Sequence, residues 1–434
     1  MYLALLGYLM IITFMVLIMT KKLSALTALI VVPIAFGLIA GGGWNVAKYA
    51  LDGIKGVATT FSMMVFAILY FGIMLNAGLF DPLVKKVLKI VKGDPLKVLV
   101  GTAILAAVVS LDGDGSTTVI ICCSTLIPLY DRLKIKKIYL ATLIILQNGV
   151  MNLIPWGGPT ARVMSVMKLE AGEIFAPLIP GMIVAAVYGV GVAYYLGLKE
   201  RKRLGIIELE SSEVGGSVEL SEEETRLKRP KMVIPNLILT IAVVVILVMG
   251  LASSSVIFGV ATAIALLLNY PAMKDQRKVI ELNASATLNV VLMVIGAGVL
   301  MGVLDGAGMS EAIAQSLIAV VPPSMGKYFA LIIAFISAPG TFLLNNDAFY
   351  FGVLPALAKT AASYGFTPLQ IGFAALMGQA FHFLSPLVAF IYLLLEMTKI
   401  DLREYQAYIS RWTVGNFIIF MVMGIVTGAL PIVA

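Results

Sequence analysis

The 434 residues are 60% hydrophobic and only 13% charged, with a formal net charge of +7. A soluble domain carries nearer a quarter charged residues, so this composition excludes an ordinary soluble enzyme and places the chain in lipid. The basic excess does not point to nucleic acid, because the basic residues lie in loops between apolar runs, where they encode topology.

The first apolar run, 2–20, ends at Lys21-Lys22 without a basic leader or a small-residue cleavage pattern. It reads as a retained span and not as a signal peptide. Runs at 23–43 and 57–80 follow, each near the ~17–25 residues that a bilayer-crossing helix needs. Two shorter arms, 98–110 and 118–130, then flank the polar turn LDGDGSTT at 111–118. Each arm is short for a crossing, and lysine-rich loops stand at both ends. The expectation is a re-entrant helical hairpin over 98–130, entering from the cytoplasm. Cys122 and Cys123 are adjacent in an apolar stretch, which offers neither a disulfide framework nor metal-ligand spacing; they read as small packing residues. Spans at 138–155 and 174–198 complete a first repeat, 1–198.

Residues 199–231 form a charged linker with Gly-Gly at 215–216 and basic clusters at both ends. Basic residues abutting spans mark a cytoplasmic segment. Beyond it lie runs at 232–250, 256–271 and 287–304, then arms 328–344 and 348–361 around LNNDAF (344–349), then runs at 369–395 and 413–431. Counting outward from the linker puts 25 of the 31 Lys and Arg residues on the cytoplasmic side and both termini outside. The predicted architecture is an all-α integral membrane protein of two halves, each with five spans and one hairpin. An odd span count inverts the second half, 232–434, so its hairpin 328–361 enters from the external side. That is the inverted-repeat plan of secondary transporters, with the binding site between the repeats. Gly72-Ile-Met-Leu-Asn-Ala-Gly78 and Gly302-Val-Leu-Asp-Gly-Ala-Gly308 echo each other ahead of the two hairpins, and Pro155 and Pro386 interrupt the spans that follow them.

Four broken places are therefore expected to face one another at midplane: the tips 112–118 and 345–347, and the interruptions 155–162 (PWGGPTAR) and 379–386 (QAFHFLSP). Non-helical backbone survives at that depth only where it is buried in protein or lines a wet cavity. Half-helices starting there aim N–H groups at the cavity and suit an anion. Asp112 and Asp114 are the sharpest signal, since carboxylates are costly within a membrane; the competing role is capping or a wet turn. Gly113 and Gly115 shape that tip. Ser116 and Thr117 either donate to a ligand oxygen or cap the second arm. Asn345, Asn346 and Asp347 form the other tip, with Asx turns as the alternative.

Arg162 is the one basic residue near any break, and a guanidinium matches a carboxylate; the alternative is a snorkelling interfacial arginine. Gly157, Gly158 and Pro159 set the first break, with Asn152 and Thr160 beside them. Ser385 and Pro386 belong to the second, and Asn148 and Gln379 border the two. His382, the single histidine, is a packing residue or a proton relay. Asp112, Asp114 and Asp347 are the candidate contacts for a co-transported metal ion and, with His382, for a coupling proton. Neither a Walker loop nor HExxH nor a dinucleotide fingerprint is present, and no tightly bound cofactor is expected.

SLDGDGSTT (110–118), GVMNLIPWGGPTAR (149–162) and LLNNDAFYFGVLP (343–355) resemble blocks of the citrate–divalent-metal:proton symporters, the CitMHS family of the ion transporter superfamily. The resemblance runs over the whole chain. It implies a transporter and not an enzyme, importing citrate complexed with Mg²⁺ or Ca²⁺ together with H⁺ across the cytoplasmic membrane. It also implies a homodimer with elevator-like motion. Related dicarboxylate carriers have Ser-Asn-Thr at both tips, where this chain has Gly115-Ser116-Thr117 and Asn345-Asn346-Asp347. Acids beside a bare polyanion repel it, whereas acids beside a metal–citrate complex meet the metal. The rival reading is a sodium-coupled carrier of a dicarboxylate or other organic anion. More remote is a membrane-embedded metalloenzyme or channel.

Overall fold

With no water to serve backbone polar groups in lipid, a chain this apolar closes its hydrogen bonds within helices. The computed structural model describes residues 2–91, 93–206 and 222–434, and among them only helices, turns and loops occur. Part of the predicted linker, 207–221, lies outside the described residues.

The first half begins with α1 (Tyr2–Met19) and α2 (Ala25–Ile39). Ser24 caps α2 by accepting the Thr27 N–H at 3.1 Å. Next come α3 (Asn45–Gly56), α4 (Ala58–Ala77) and α5 (Asp81–Val91). The first hairpin is α6 (Pro95–Val109), a 3-10 turn (Ser110–Asp112) and α7 (Gly115–Arg132). A broken span follows, α8 (Lys137–Met151) and α9 (Gly158–Met167), then the long α10 (Ala171–Leu204).

After a short α11 (Glu222–Leu227), the second half has α12 (Val233–Val248), α13 (Ser254–Asn269), α14 (Met273–Gly306) and α15 (Met309–Val320). A single turn, α16 (Pro323–Gly326), precedes the second hairpin. That hairpin is α17 (Phe329–Leu343), a π-helical stretch (Ala348–Val353) and α18 (Leu354–Ser363). The second broken span comprises α19 (Pro368–Leu376), α20 (Gln379–His382) and α21 (Ala389–Thr398), and α22 (Leu402–Val426) completes the chain.

Three expectations change. α14 starts at Met273, well before the apolar run at 287, and α22 starts at Leu402, capped by Asp401. A helix continues through charged residues into water, so an apolar run marks the lipid contact and not the helix end. The amphipathic α3 and α5 were invisible to a search for apolar runs. The first arm is also longer than expected: helical backbone runs from Pro95 to Asp112, 18 residues, enough by length and composition to cross. Asp94 starts it early, accepting the Leu96 N–H at 3.0 Å, with Pro95 in the first turn.

Both ends of this hairpin are anchored on α10. Asp94, at its start, is ion-paired with Arg201 (Nε–Oδ1 2.9 Å), while Lys134, just past its end, accepts from Arg203 at 2.8 Å. Both arginines lie in the last turn of α10, so the start of α6 and the end of α7 meet the same helix end. Burial alone would raise the Asp94 carboxyl, but hydrogen bonds from Arg201 and the Leu96 N–H outweigh it and hold the group below the usual carboxylate range. The second hairpin closes similarly, with Tyr364 donating to the Val321 carbonyl at 3.3 Å and packing against Phe329 at 5.9 Å.

Left-handed backbone recurs in register between the halves. Lys21 and Gly250, Gly78 and Gly308, Lys134 and Gly365, and Lys168 and Lys399 all have positive φ. Each pair lies 229–231 residues apart and ends corresponding helices. Such residues terminate helices in defined directions, so similar helix ends recur at a nearly constant offset along the chain. The halves interleave, with α4 against α13 and α14, and α14 against α2 and α3.

Candidate functional site

The first tip is organised by its own acids. Asp114 caps α7, accepting from the N–H groups of Ser116 (3.2 Å) and Thr117 (2.9 Å) and from the Thr117 hydroxyl (2.6 Å). Asp112 accepts the Asp114 N–H at 2.9 Å in an Asx turn. Asp114 thus fills the capping role at the α7 N-terminus, the alternative that the sequence left open beside ligand binding. Gly113 takes a left-handed conformation (φ 81°), and a Cβ there would lie 3.1 Å from the Trp156 ring. Gly115 packs directly on Phe390 of α21.

The first break is tighter and earlier than expected. Irregular backbone covers Asn152–Gly157, and Gly158 already begins α9, with Pro159 in its first turn. Proline is pre-organised for that position and lacks an N–H there, so Thr160 and Arg162 lie on helix and not in the break. A Cβ on Gly157 would sit 2.1 Å from the Asn152 carbonyl oxygen, so the chain folds this closely only with glycine. Thr160 braces the loop by donating to Leu153 O at 2.9 Å and is fully buried. Gly157 caps α9 with no side chain, so no capping oxygen offsets the positive end of that helix.

Trp156 was not singled out from the sequence, yet it joins the first tip to the rest of the chain. Its indole N–H donates to Leu111 O at 2.9 Å, and its ring stacks on Phe71 of α4 at 4.5 Å. An aromatic next to the glycines of PWGGPTAR was the available signal.

At the second tip Asn345 does the capping, accepting the Ala348 N–H at 2.7 Å. Asp347 is left for a partner, and that partner is Arg162 of the other half. Arg162 Nε and Nη2 converge on Asp347 Oδ1 at 2.8 and 2.7 Å, while Nη1 donates to Gly158 O at 2.8 Å. The two side chains are 18% and 16% exposed, so the pair is largely desolvated yet still reachable. At an effective dielectric near 20 the gross attraction is roughly 6 kcal/mol, much of it offset by lost hydration. Arg162 is therefore held inside the site and is not a snorkelling residue.

The second break is Phe383–Val388. Ser385 is buried and accepts the Leu387 N–H at 3.2 Å, while Pro386 is exposed and its carbonyl accepts from Tyr392 at 2.7 Å. His382 ends α20, buried, with Nδ1 2.9 Å from the Thr341 carbonyl, so it braces α20 on α17. Gln379 reaches the second tip, donating to Asn346 Oδ1 (2.9 Å) and Tyr350 Oη (2.8 Å). Its Oε1 is buried without a partner, as is Nδ2 of Asn148, its counterpart 231 residues earlier. A buried, unpaired polar atom calls for an explanation, and at both positions it borders a break.

The structure thus unites Arg162, Asp347, Asn346 and Gln379 at one junction, and Asp112–Thr117 with Trp156 and Gly157 at another. It does not gather the three acids proposed for a metal. Among the described residues no cluster of three His, Cys, Asp or Glu side chains occurs, since Asp347 is held by Arg162 while Asp112 and Asp114 order the other tip. Two cavities, of about 630 and 530 Å³, lie between α11 and α14 and between α10 and α12, and touch neither tip.

The blocks that build this junction match a known family model, the CitMHS citrate transporter family, over residues 14–378. The chain belongs to the citrate transporter family. Within Bacillus subtilis (strain 168), it is 47% identical to a citrate transporter over 99% of both chains. It is 44% identical to a Mg²⁺/citrate complex secondary transporter, again over 99% of both. Two solved membrane transporters share the fold at 12% identity: YdaH of Alcanivorax borkumensis (TM-score 0.59, 89% of this chain and 90% of that one) and MtrF of Neisseria gonorrhoeae (TM-score 0.61, 89% and 84%). As a citrate transporter family member with seven described helices long and apolar enough to cross, the chain is a multi-pass membrane protein that transports and does not catalyse.

Proposed function

We propose that this citrate transporter imports citrate as a complex with a divalent metal ion, in symport with protons. The observation that carries the reading is the opposed charge pair, Arg162 and Asp347, at the meeting of a broken span and a hairpin tip. A complex of a polycarboxylate and a metal carries both signs, and this junction offers both. Citrate oxygens supply most of the metal's coordination, so one protein carboxylate suffices to meet it. The N-terminal end of α9, with no capping oxygen, favours the carboxylate end. The relative named for Mg²⁺/citrate, at 44% identity over nearly the full length, supports the same substrate.

The doubled pattern of left-handed residues and the same-side anchoring of each hairpin support an inverted repeat, 1–198 and 232–434, joined by a cytoplasmic linker at 199–231 with both termini outside. A homodimer with elevator-like motion of the hairpins and broken spans fits that layout. Asp112, which closes a local turn and has no cationic partner among the described residues, is our candidate for the coupling proton.

The test is uptake of radiolabelled citrate into proteoliposomes with Mg²⁺, with Ca²⁺ or with chelator, under an imposed pH gradient. Stimulation by metal and by an acidic exterior is the expected result. Uptake driven by sodium and inhibited by metal would instead favour a sodium-coupled carrier of the free anion.

A further inference from the structure

We infer that the Arg162–Asp347 ion pair is a specificity lock, opened by a metal–polycarboxylate complex and by neither component alone. The inference rests on the metal–citrate reading above and says how the site refuses the bare ions. All three nitrogens of the guanidinium have a partner, with Nε and Nη2 on Asp347 Oδ1 and Nη1 on Gly158 O. The pair ties α9 to the second tip, and its two side chains keep only 18% and 16% of their exposure. Removing the partner from either charge leaves that charge stranded in a poorly solvated place.

The charge balance then discriminates. A free polycarboxylate is attracted to Arg162, but taking it strands Asp347 against an anion, and like charges disfavour each other. A free dication is attracted to Asp347, but taking it strands Arg162 against a cation. A complex presents both ends at once. Its outer carboxylate takes over the guanidinium edge, with the planar match that arginine offers. Its metal takes the released Asp347 carboxylate, an oxygen ligand of the kind hard cations prefer. Every charge is paired before and after, so only this ligand exchanges partners without stranding one.

Two further observations fit. Gln379 donates to Asn346, the neighbour of Asp347, and its Oε1 is buried and unpartnered. It is an acceptor suited to a metal-bound water or to the substrate hydroxyl. The pair is also one-sided: at the 231-residue offset, Arg162 and Asp347 correspond to Leu393 and Ser116, so the first tip has no such lock.

The experiment uses the full chain in proteoliposomes and compares labelled citrate uptake with excess Mg²⁺ and with chelator, reading the ratio of the two. In wild type the ratio is expected to be roughly tenfold or more. Asp347→Asn frees Arg162 for a bare anion, so the ratio should fall toward one through a gain of chelated-citrate uptake. Asp347→Glu keeps the charge and should keep the ratio. A wild-type ratio near one would refute the metal–citrate reading itself. A high wild-type ratio that persists in Asp347→Asn, with both rates merely lowered, would overturn the lock and leave that reading standing. Calorimetry on detergent-purified wild type needs no variant. Binding heat with citrate plus Mg²⁺, and none with either alone, supports the lock; equal affinity for citrate in chelator overturns it.

Discussion

Asp114 and Asn345 stand 231 residues apart, and each caps the helix that follows it through the N–H three positions on. At the first tip the cap is itself an acid, and its charge is spent on the backbone of α7. At the second tip a neutral asparagine does the capping, and the acid, Asp347, stands two residues later, free to pair with Arg162 across the halves. The same fold element thus handles one negative charge locally and another over long range. A carboxylate near a helix end is available to a distant partner only when something else satisfies the helix.

The largest effect should come from breaking the long-range pair. Arg162→Gln leaves Asp347 alone and should destabilise the chain by about 2–4 kcal/mol, below the full cost of a wholly buried pair because the site is partly exposed, and abolish uptake. Adding Asp347→Asn should restore most of the melting temperature in detergent but not transport, which separates a stabilising role from a binding one.

Gly157→Ala tests the break that both tips depend on. The added methyl meets the Asn152 carbonyl at 2.1 Å, so a cost of about 1–3 kcal/mol is expected from forced backbone movement, with citrate uptake falling in step. Unchanged melting would mean that the loop has another conformation available.

Asp114 sharpens the contrast at lower cost. Asp114→Ala should lose about 1 kcal/mol with the cap, while Asp114→Ser or Asp114→Asn keeps a capping oxygen and should melt near wild type. If uptake nevertheless falls as far in Asp114→Asn as in Asp114→Ala, the charge at the first tip acts on the ligand as well as on the helix.

The smallest effect should be at the hairpin's foot. Asp94 has its carboxyl held below the usual range, so its contribution is complete above that range and is lost as pH falls through the lowered value. Asp94→Asn should therefore melt slightly below wild type at neutral pH, with the gap closing on acidification. A gap that widened in acid would contradict the sign.

Much of the membrane layout was legible in the linear sequence, because lipid imposes a local rule. Apolar runs, glycine-rich interruptions and basic loops marked the long helices, both hairpin turns and both breaks, and the blocks around Asp114, Pro155 and Asp347 carried the family resemblance. Less legible were helix ends, where Asp94, Asp401 and Pro159 moved the boundaries by capping chemistry, and the amphipathic α3 and α5.

The partners of the charged residues were legible only in part: local capping was one of two readings of Asp112 and Asp114, and nothing in the sequence paired Asp347 with Arg162. Composition gave Asp112, Asp114 and Asp347 one standing as intramembrane acids; only the tertiary fold assigned two of them to their own tip and the third to an arginine 185 positions away. The same holds for His382, set against Thr341 O, and for Trp156, wedged between Leu111 and Phe71. Burial in lipid acts on each residue where it stands, so the sequence by itself determined which segments are apolar enough to lie in a membrane and in which of them glycine and proline interrupt the helix. Pairing acts between residues that the chain brings together from a distance, so which acid meets which base was decided by the packing of two interleaved halves.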